Sequence, residues 1–238
     1  MRLGKVVLAL GVAALMCAPA LAQQGRRGGG GFGGGASLSM LVQNKSVQDE
    51  LKLDKDQVTK AEEAIKKVQE DLKDDYAKLR GGRRGGGGTN VSDEERTAAR
   101  KKVSAAEEKA LADTLKPDQM KRLQQIHRQQ EGVRVFQDED VQQALKLTAE
   151  QKEKIKTIND DLAKERRELF QQGGGGGRRG GNPETINKLQ ALNKDAMTSA
   201  QKVLNDDQKK TFKELTGEPF EIKFDRGGRQ GGKPRTDF

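Results

Sequence analysis

Few residues in this chain have the type and spacing to do chemistry. His127 is the single histidine and Cys17 the single cysteine among 238 residues. A hydrolytic centre needs a base held by a partner group, and a metal centre needs several His, Cys or Met donors converging on one ion. His127 lies mid-helix between Ile126 and Arg128 with no partner signalled, and Met40, Met120 and Met197 are scattered. Filling gaps in a core accounts for such methionines. The pairs Asp74-Asp75 and Asp160-Asp161 stand among lysines, where weak ion pairs one helical turn apart are expected rather than mutual tuning of acidity. Asp138-Glu139-Asp140 lacks the spaced oxygen ligands of a calcium loop. No glycine tract ends in the Gly-Lys-Ser/Thr of a phosphate-cradling loop. These residue types point away from an enzyme, and neither cofactor nor metal is expected.

One reactive pattern survives, and it is electrostatic. Arg80-Gly81-Gly82-Arg83-Arg84, Arg178-Arg179-Gly180-Gly181 and Arg226-Gly227-Gly228-Arg229 resemble RGG segments, in which a pliant backbone lets guanidinium groups reach a polyanion: a cell-wall polymer, an anionic lipid or a nucleic acid. Phe32 is the single aromatic inside a glycine tract, so base stacking is poorly supplied and no specific nucleic acid is expected. The same tracts also read as plain spacers between helices.

The elements that carry these residues are written twice. Val47-x-x-x-Leu51-x-Leu53-x-x-x-Gln57 returns as Val141-x-x-x-Leu145-x-Leu147-x-x-x-Gln151. Each copy continues into a helical segment, a glycine-arginine tract and a second helical segment. A further Leu-x-x-x-Gln closes each copy, Leu115 to Gln119 and Leu204 to Gln208. Val58, Ala61, Ile65, Val68, Leu72 and then Tyr76 or Leu79 recur at three and four, as do Ile155, Ile158 and Leu162, followed after a charged turn by Leu169 and Phe170. Ala99, Val103, Ala106 and Ala110 repeat the spacing after the first tract. Ile186, Leu189, Leu192 or Asn193, Ala196, Ala200 and Val203 repeat it after the second. Such narrow apolar seams resemble coiled-coil stripes.

Helix starts are equally marked. Thr148 with Gln151, Asp54 with Gln57 and Asn205 with Gln208 form capping boxes, while Lys116 is a poor cap followed by Pro117 at a position that suits proline. Ser92 with Glu95, and Asn182 with Pro183, open the helices after the tracts. The motif glutamines Gln57, Gln119, Gln151 and Gln208 are thereby assigned to structure. So are Leu53, Leu115, Leu147 and Leu204, and Thr148 with them. Short helices are expected over Val47–Leu51 and Val141–Leu145. The fold class is all-α: two tandem helical-hairpin repeats with flexible Gly/Arg-rich loops and disordered ends.

Arg2 and Lys5, the apolar run Val6–Met16 and Ala20-Leu21-Ala22 form a secretory leader cleaved near Ala22. Cys17 then leaves with the leader, and disulfides and thiol chemistry leave with it. The expected divisions are a signal peptide at 1–22, a glycine-rich disordered segment at 23–36, helical repeats at 37–132 and 133–224, and a disordered basic tail at 225–238. Loss of Arg2 and Lys5 takes the net charge from +9 to +7. Nine arginines in the glycine tracts exceed that surplus, so the helical body is close to neutral. Aromatic content is 3% with no Trp. A core this thin favours a homodimer.

Leu147-Thr148-Ala149-Glu150-Gln151 resembles the LTxxQ signature of the Spy/CpxP family of small periplasmic helical proteins. Leu53-Asp54-Lys55-Asp56-Gln57, Leu115-Lys116-Pro117-Asp118-Gln119 and Leu204-Asn205-Asp206-Asp207-Gln208 are similar to degenerate versions. The resemblance covers the four motifs and the helices after them, not the glycine tracts. It implies an all-α fold, often a cradle-shaped dimer, and a role in the envelope as an ATP-independent chaperone or stress adaptor. Candidate client contacts are then Tyr76, Leu79, Leu169, Phe170 and Phe212, which equally suit a core. Candidate polyanion contacts are Arg80, Arg83, Arg84, Arg178, Arg179, Arg226 and Arg229. A structural envelope scaffold is the third reading.

Overall fold

The computed structural model describes residues 36–80, 91–172 and 183–223. They form an all-α protein, with no strand among the described residues. The order is α1 (Leu38–Val42), α2 (Lys45–Glu50), α3 (Lys55–Asp71), α4 (Lys73–Arg80), α5 (Asp93–Ala112) and α6 (Pro117–Glu131). A 3-10 helix, Gly132–Gln137, then leads into α7 (Glu139–Ala144), α8 (Ala149–Gln172), α9 (Pro183–Val203) and α10 (Asp206–Thr216).

Local capping sets where these helices begin. The Asp54 side chain accepts from the Gln57 amide at 2.7 Å, and Gln57 Oε1 accepts in return from the Asp54 amide at 3.3 Å. The same exchange joins Ser92 to Glu95, Thr148 to Gln151 and Asn205 to Gln208. Each satisfies two backbone donors that the first turn leaves without a partner. Lys116 supplies no side-chain oxygen, yet Gln119 Oε1 still accepts its amide at 2.9 Å. Asn182, expected to cap α9, lies outside the described residues.

Some elements depart from the reading of periodicity. The run from Val58 to Leu79 is broken: Leu72 leaves helical geometry at φ −111° and ψ 29°, separating α3 from α4. Beyond the break α4 packs on α5, where Asp75 meets Lys102 at 2.7 Å. The α5 seam also differs. Ala99, Val103, Glu107 and Leu111 are buried, while Ala106 and Ala110 are half-buried. A carboxylate can take a seam position because Glu107 accepts from the Tyr76 hydroxyl at 2.6 Å and the Ser39 amide at 3.3 Å. Before the expected short helices stand α1 and the 3-10 helix, too brief for a period to reveal.

Burial falls into two clusters. One joins Leu38, Leu41, Val47, Ile65, Leu111, Leu123 and Ile126 from α1 to α6. The other joins Val135, Phe136, Leu145, Ile155, Leu162, Ala200 and Phe212 from the 3-10 helix to α10. Helix α8 packs along α9, and α3 with α4 packs along α5. Helix α10 crosses to α6, and the chain after it runs on over the first cluster, where Phe220 and Ile222 pack.

Candidate functional site

The motif glutamines meet in pairs. At the start of α3 and α6, Gln57 Nε2 donates to Gln119 Oε1 at 2.8 Å and Gln119 Nε2 donates back to Gln57 Oε1 at 3.3 Å. At the start of α8 and α10, Gln151 Nε2 donates to Gln208 Oε1 at 2.7 Å and Gln208 Nε2 donates back at 2.9 Å. In three of the four, the second amide hydrogen closes a neighbouring helix end. Gln119 reaches the Leu51 carbonyl at 3.1 Å, Gln208 the Leu145 carbonyl at 3.0 Å and Gln151 the Val203 carbonyl at 2.9 Å.

A carboxamide has two donor hydrogens and two acceptor lone pairs. Gln151 and Gln208 use all four, counting the capped amides of Thr148 and Asn205. Such a side chain has nothing left for a ligand. The pair ties the first turn of α8 to the first turn of α10 and to the ends of α7 and α9. Leu115, Leu147 and Leu204 of the motifs are buried, and Leu53 packs at the edge of the first cluster.

The loops into α3 and α8 are also built alike. Lys52 and Lys146 both have positive φ, at 52° and 49°. The Leu53 amide returns to the Gln48 carbonyl, and the Leu147 amide to the Gln142 carbonyl, both at 3.0 Å. This is a Schellman turn whose left-handed position holds lysine where glycine is usual. Gln48 Nε2 donates to the Val42 carbonyl and Gln142 Nε2 to that of Phe136, again both at 3.0 Å.

Titratable groups gather where α6 passes into the 3-10 helix. Burial, with Asp138 beside it, pushes the Glu131 carboxyl up to about 8, and burial raises Asp138 also. Arg134 and Arg100 lie near enough to oppose that rise at Glu131, and the contact with Glu131 followed by Arg128 does so at Asp138. Glu131 Oε2 is buried without a hydrogen-bond partner, and the Asp138 side chain does not cap α7. The arrangement holds a proton at neutral pH. One turn earlier on α6, burial and then Arg128 hold His127 down to about 4, so its ring is neutral.

Among the described residues no group of three or more His, Cys, Asp or Glu could hold a metal ion, and no helix is long and apolar enough to cross a membrane. Of the candidate client contacts, Phe212 is buried and stacked on Phe136 with ring centroids 4.7 Å apart. Tyr76 is half-buried and bonded to Glu107, and Leu79 and Leu169 are half-buried near the ends of α4 and α8. The Phe170 side chain lies outside what is described. Arg83, Arg84, Arg178, Arg179, Arg226 and Arg229 lie outside the described residues too, and Arg80 is the last residue of α4. Met40 is the one large apolar side chain among the described residues that is clearly exposed. The glutamine caps were legible as S/T/D/N-x-x-Q spacing, but nothing in the sequence signalled that the glutamines face each other.

Comparison with known families, curated proteins and solved structures found no match for this chain.

Proposed function

We propose that this chain is an exported, non-enzymatic helical protein of two tandem LTxxQ-type units that holds partly unfolded or envelope proteins without nucleotide. The reciprocal pairing of Gln57 with Gln119 and of Gln151 with Gln208 carries this reading. It gives the same motif the same structural duty in both halves and leaves the long helices beyond the pairs as the contact surfaces. Leu79 and Leu169, half-buried towards the far ends of α4 and α8, supply the apolar component. Tyr76 and Phe212 are committed to internal contacts. The test is aggregation of a chemically unfolded client followed by light scattering at equimolar protein. Suppression without ATP is expected. Undiminished aggregation at fivefold excess removes the proposal.

A second reading has its own observation. The arginine-bearing stretches 81–90 and 173–182 follow α4 and α8 in the sequence, and the ends of those two helices are remote from the motif glutamines at the starts of α3 and α8. That placement suits electrostatic contact with an anionic polymer or lipid surface. Replacing Arg80, Arg83, Arg84, Arg178, Arg179, Arg226 and Arg229 by serine should then abolish salt-sensitive binding to an acidic polysaccharide and leave client binding intact. A purely structural envelope scaffold would show neither activity.

A further inference from the structure

Past α10 the chain does not stay with the helices that precede it. Gly217 turns it with φ 62°, and residues 218–223 continue without helix across α6 and the α1–α2 junction. Phe220 and Ile222 face inward onto the first core cluster, while Glu221 and Lys223 are exposed. This is the two-residue alternation of an extended strand lying on an apolar surface.

What holds the segment is its backbone. Gln129 Nε2 donates to the carbonyls of Thr216 at 2.6 Å and Glu218 at 2.8 Å, and its Oε1 accepts from the Phe220 amide at 2.9 Å. Arg122 donates to the Glu218 carbonyl at 2.9 Å and sets its guanidinium 5.9 Å from the Phe220 ring centre. Asn44 Nδ2 donates to the Lys223 carbonyl at 3.0 Å, and Ser46 Oγ accepts from the Lys223 amide at 3.0 Å. Apart from the bond to Thr216 at the end of α10, each of these hydrogen bonds joins a side chain of the first half to the main chain of the segment. Main-chain bonds supply attachment that any extended peptide can satisfy, and pockets for alternate side chains supply selection.

We propose that the groove formed by α6 and the α1–α2 junction is a peptide-binding site, and that residues 217–223 are its built-in occupant. Its ligand class is an extended segment with two large apolar residues one position apart, as Phe220 and Ile222 are here. This rests on the client-holding reading and adds a second site to the helix surfaces around Leu79 and Leu169: an extended stretch of an unfolded partner enters where the strap leaves. The strap is tethered directly to α10, which itself packs on α6. Its effective concentration is therefore roughly millimolar, and outside peptides enter only weakly while it is in place.

The test uses the full chain and a fluorescent synthetic peptide copying residues 216–223. In the doubly substituted Phe220→Ser, Ile222→Ser chain, the peptide should bind at least tenfold more tightly than to the unaltered chain. A peptide carrying the same two serines should not bind, and adding Gln129→Ala to the substituted chain should weaken binding at least tenfold. Equal, absent or serine-tolerant binding by a folded variant overturns the proposal. Should the variant fail to fold, hydrogen exchange on the unaltered chain decides. Millimolar peptide should accelerate exchange at the Phe220 and Lys223 amides, and unchanged rates overturn the proposal. Concentration-dependent dimers of the unaltered chain that vanish with the two serines would assign the groove to a second copy, and that also overturns it. The two readings fail separately. Peptide binding without aggregation suppression removes the proposed function alone, and suppression by a chain that binds no peptide removes the groove alone.

Discussion

Gln151 and Gln208 exchange amide hydrogen bonds at 2.7 and 2.9 Å across 57 residues of sequence, each while capping its own helix. A side chain that serves as cap and clamp together makes the start of α8 and the start of α10 a single mechanical unit. Neither glutamine can be changed without releasing the other.

A double-mutant cycle measures that coupling. Gln151→Ala and Gln208→Ala should each destabilise by about 2 kcal/mol, because each leaves one helix-end carbonyl, of Val203 or Leu145, and one amide hydrogen of the partner glutamine without its mate. The double variant should cost less than the sum, with a coupling of about 1–2 kcal/mol. Urea unfolding supplies the numbers, and additive effects would mean that the amides do not cooperate. Gln208→Glu should be the worst single change, since a carboxylate replaces donors facing the Leu145 carbonyl and Gln151 Oε1.

At Gly217 the backbone adopts φ 62° and ψ −161°, a region that side chains all but exclude. A Cβ there would stand 2.4 Å from Gln125 Oε1. Gly217→Ala should therefore cost about 2–3 kcal/mol and loosen the bond from Gln125 to the Glu214 carbonyl. Gly132 shares the positive φ but meets nothing within 4 Å. Gly132→Ala should cost only the backbone strain, about 1–2 kcal/mol. Thermal melts of the two variants should rank them in that order.

Lysine in a left-handed turn is strained where glycine is not. Lys52→Gly and Lys146→Gly should each leave the chain as stable or stabilise it by up to about 1 kcal/mol, once the greater freedom of unfolded glycine is subtracted. Loss of more than that in urea unfolding would show that the lysine side chains bind something.

Glu131 gives stability a dependence on alkali. Its folded carboxyl titrates near 8 and its unfolded one near 4.5. Between those values the unfolded chain has released the proton that the folded chain keeps. Its contribution is complete below about pH 4.5 and falls as pH rises through 8. Glu131→Gln should match the unaltered chain near pH 5 and exceed it by on the order of 2 kcal/mol at pH 8. Melting temperatures across that range test it, and parallel curves would refute the assignment.

His127 acts in the opposite direction. Its ring titrates near 4 in the fold against 6.5 outside it. As pH falls from 6.5 towards 4 the unfolded chain takes up a proton that the folded chain refuses, so stability declines. His127→Gln should remove about 2 kcal/mol of that acid sensitivity and have little effect above pH 7. Melts between pH 4 and 7 compare the two chains.

Local signals are what the amino-acid order determined by itself. Capping side chains act within three residues, so the starts of α3, α5, α8 and α10 were legible, as were much of the apolar seams of α8 and α9 and the all-α class. Contacts that close over long sequence distances were not. Asp54 announces a cap, but nothing local announces that Gln57 will meet Gln119, or that Glu107 can sit in a seam because Tyr76 and Ser39 reach it. The break at Leu72 and the crossing of Phe220 and Ile222 to the first core have no signal of their own in the order of residues. Tertiary structure alone decided these, because a hydrogen bond or a buried pair depends on which surfaces come together, and the order of residues along one helix does not carry that.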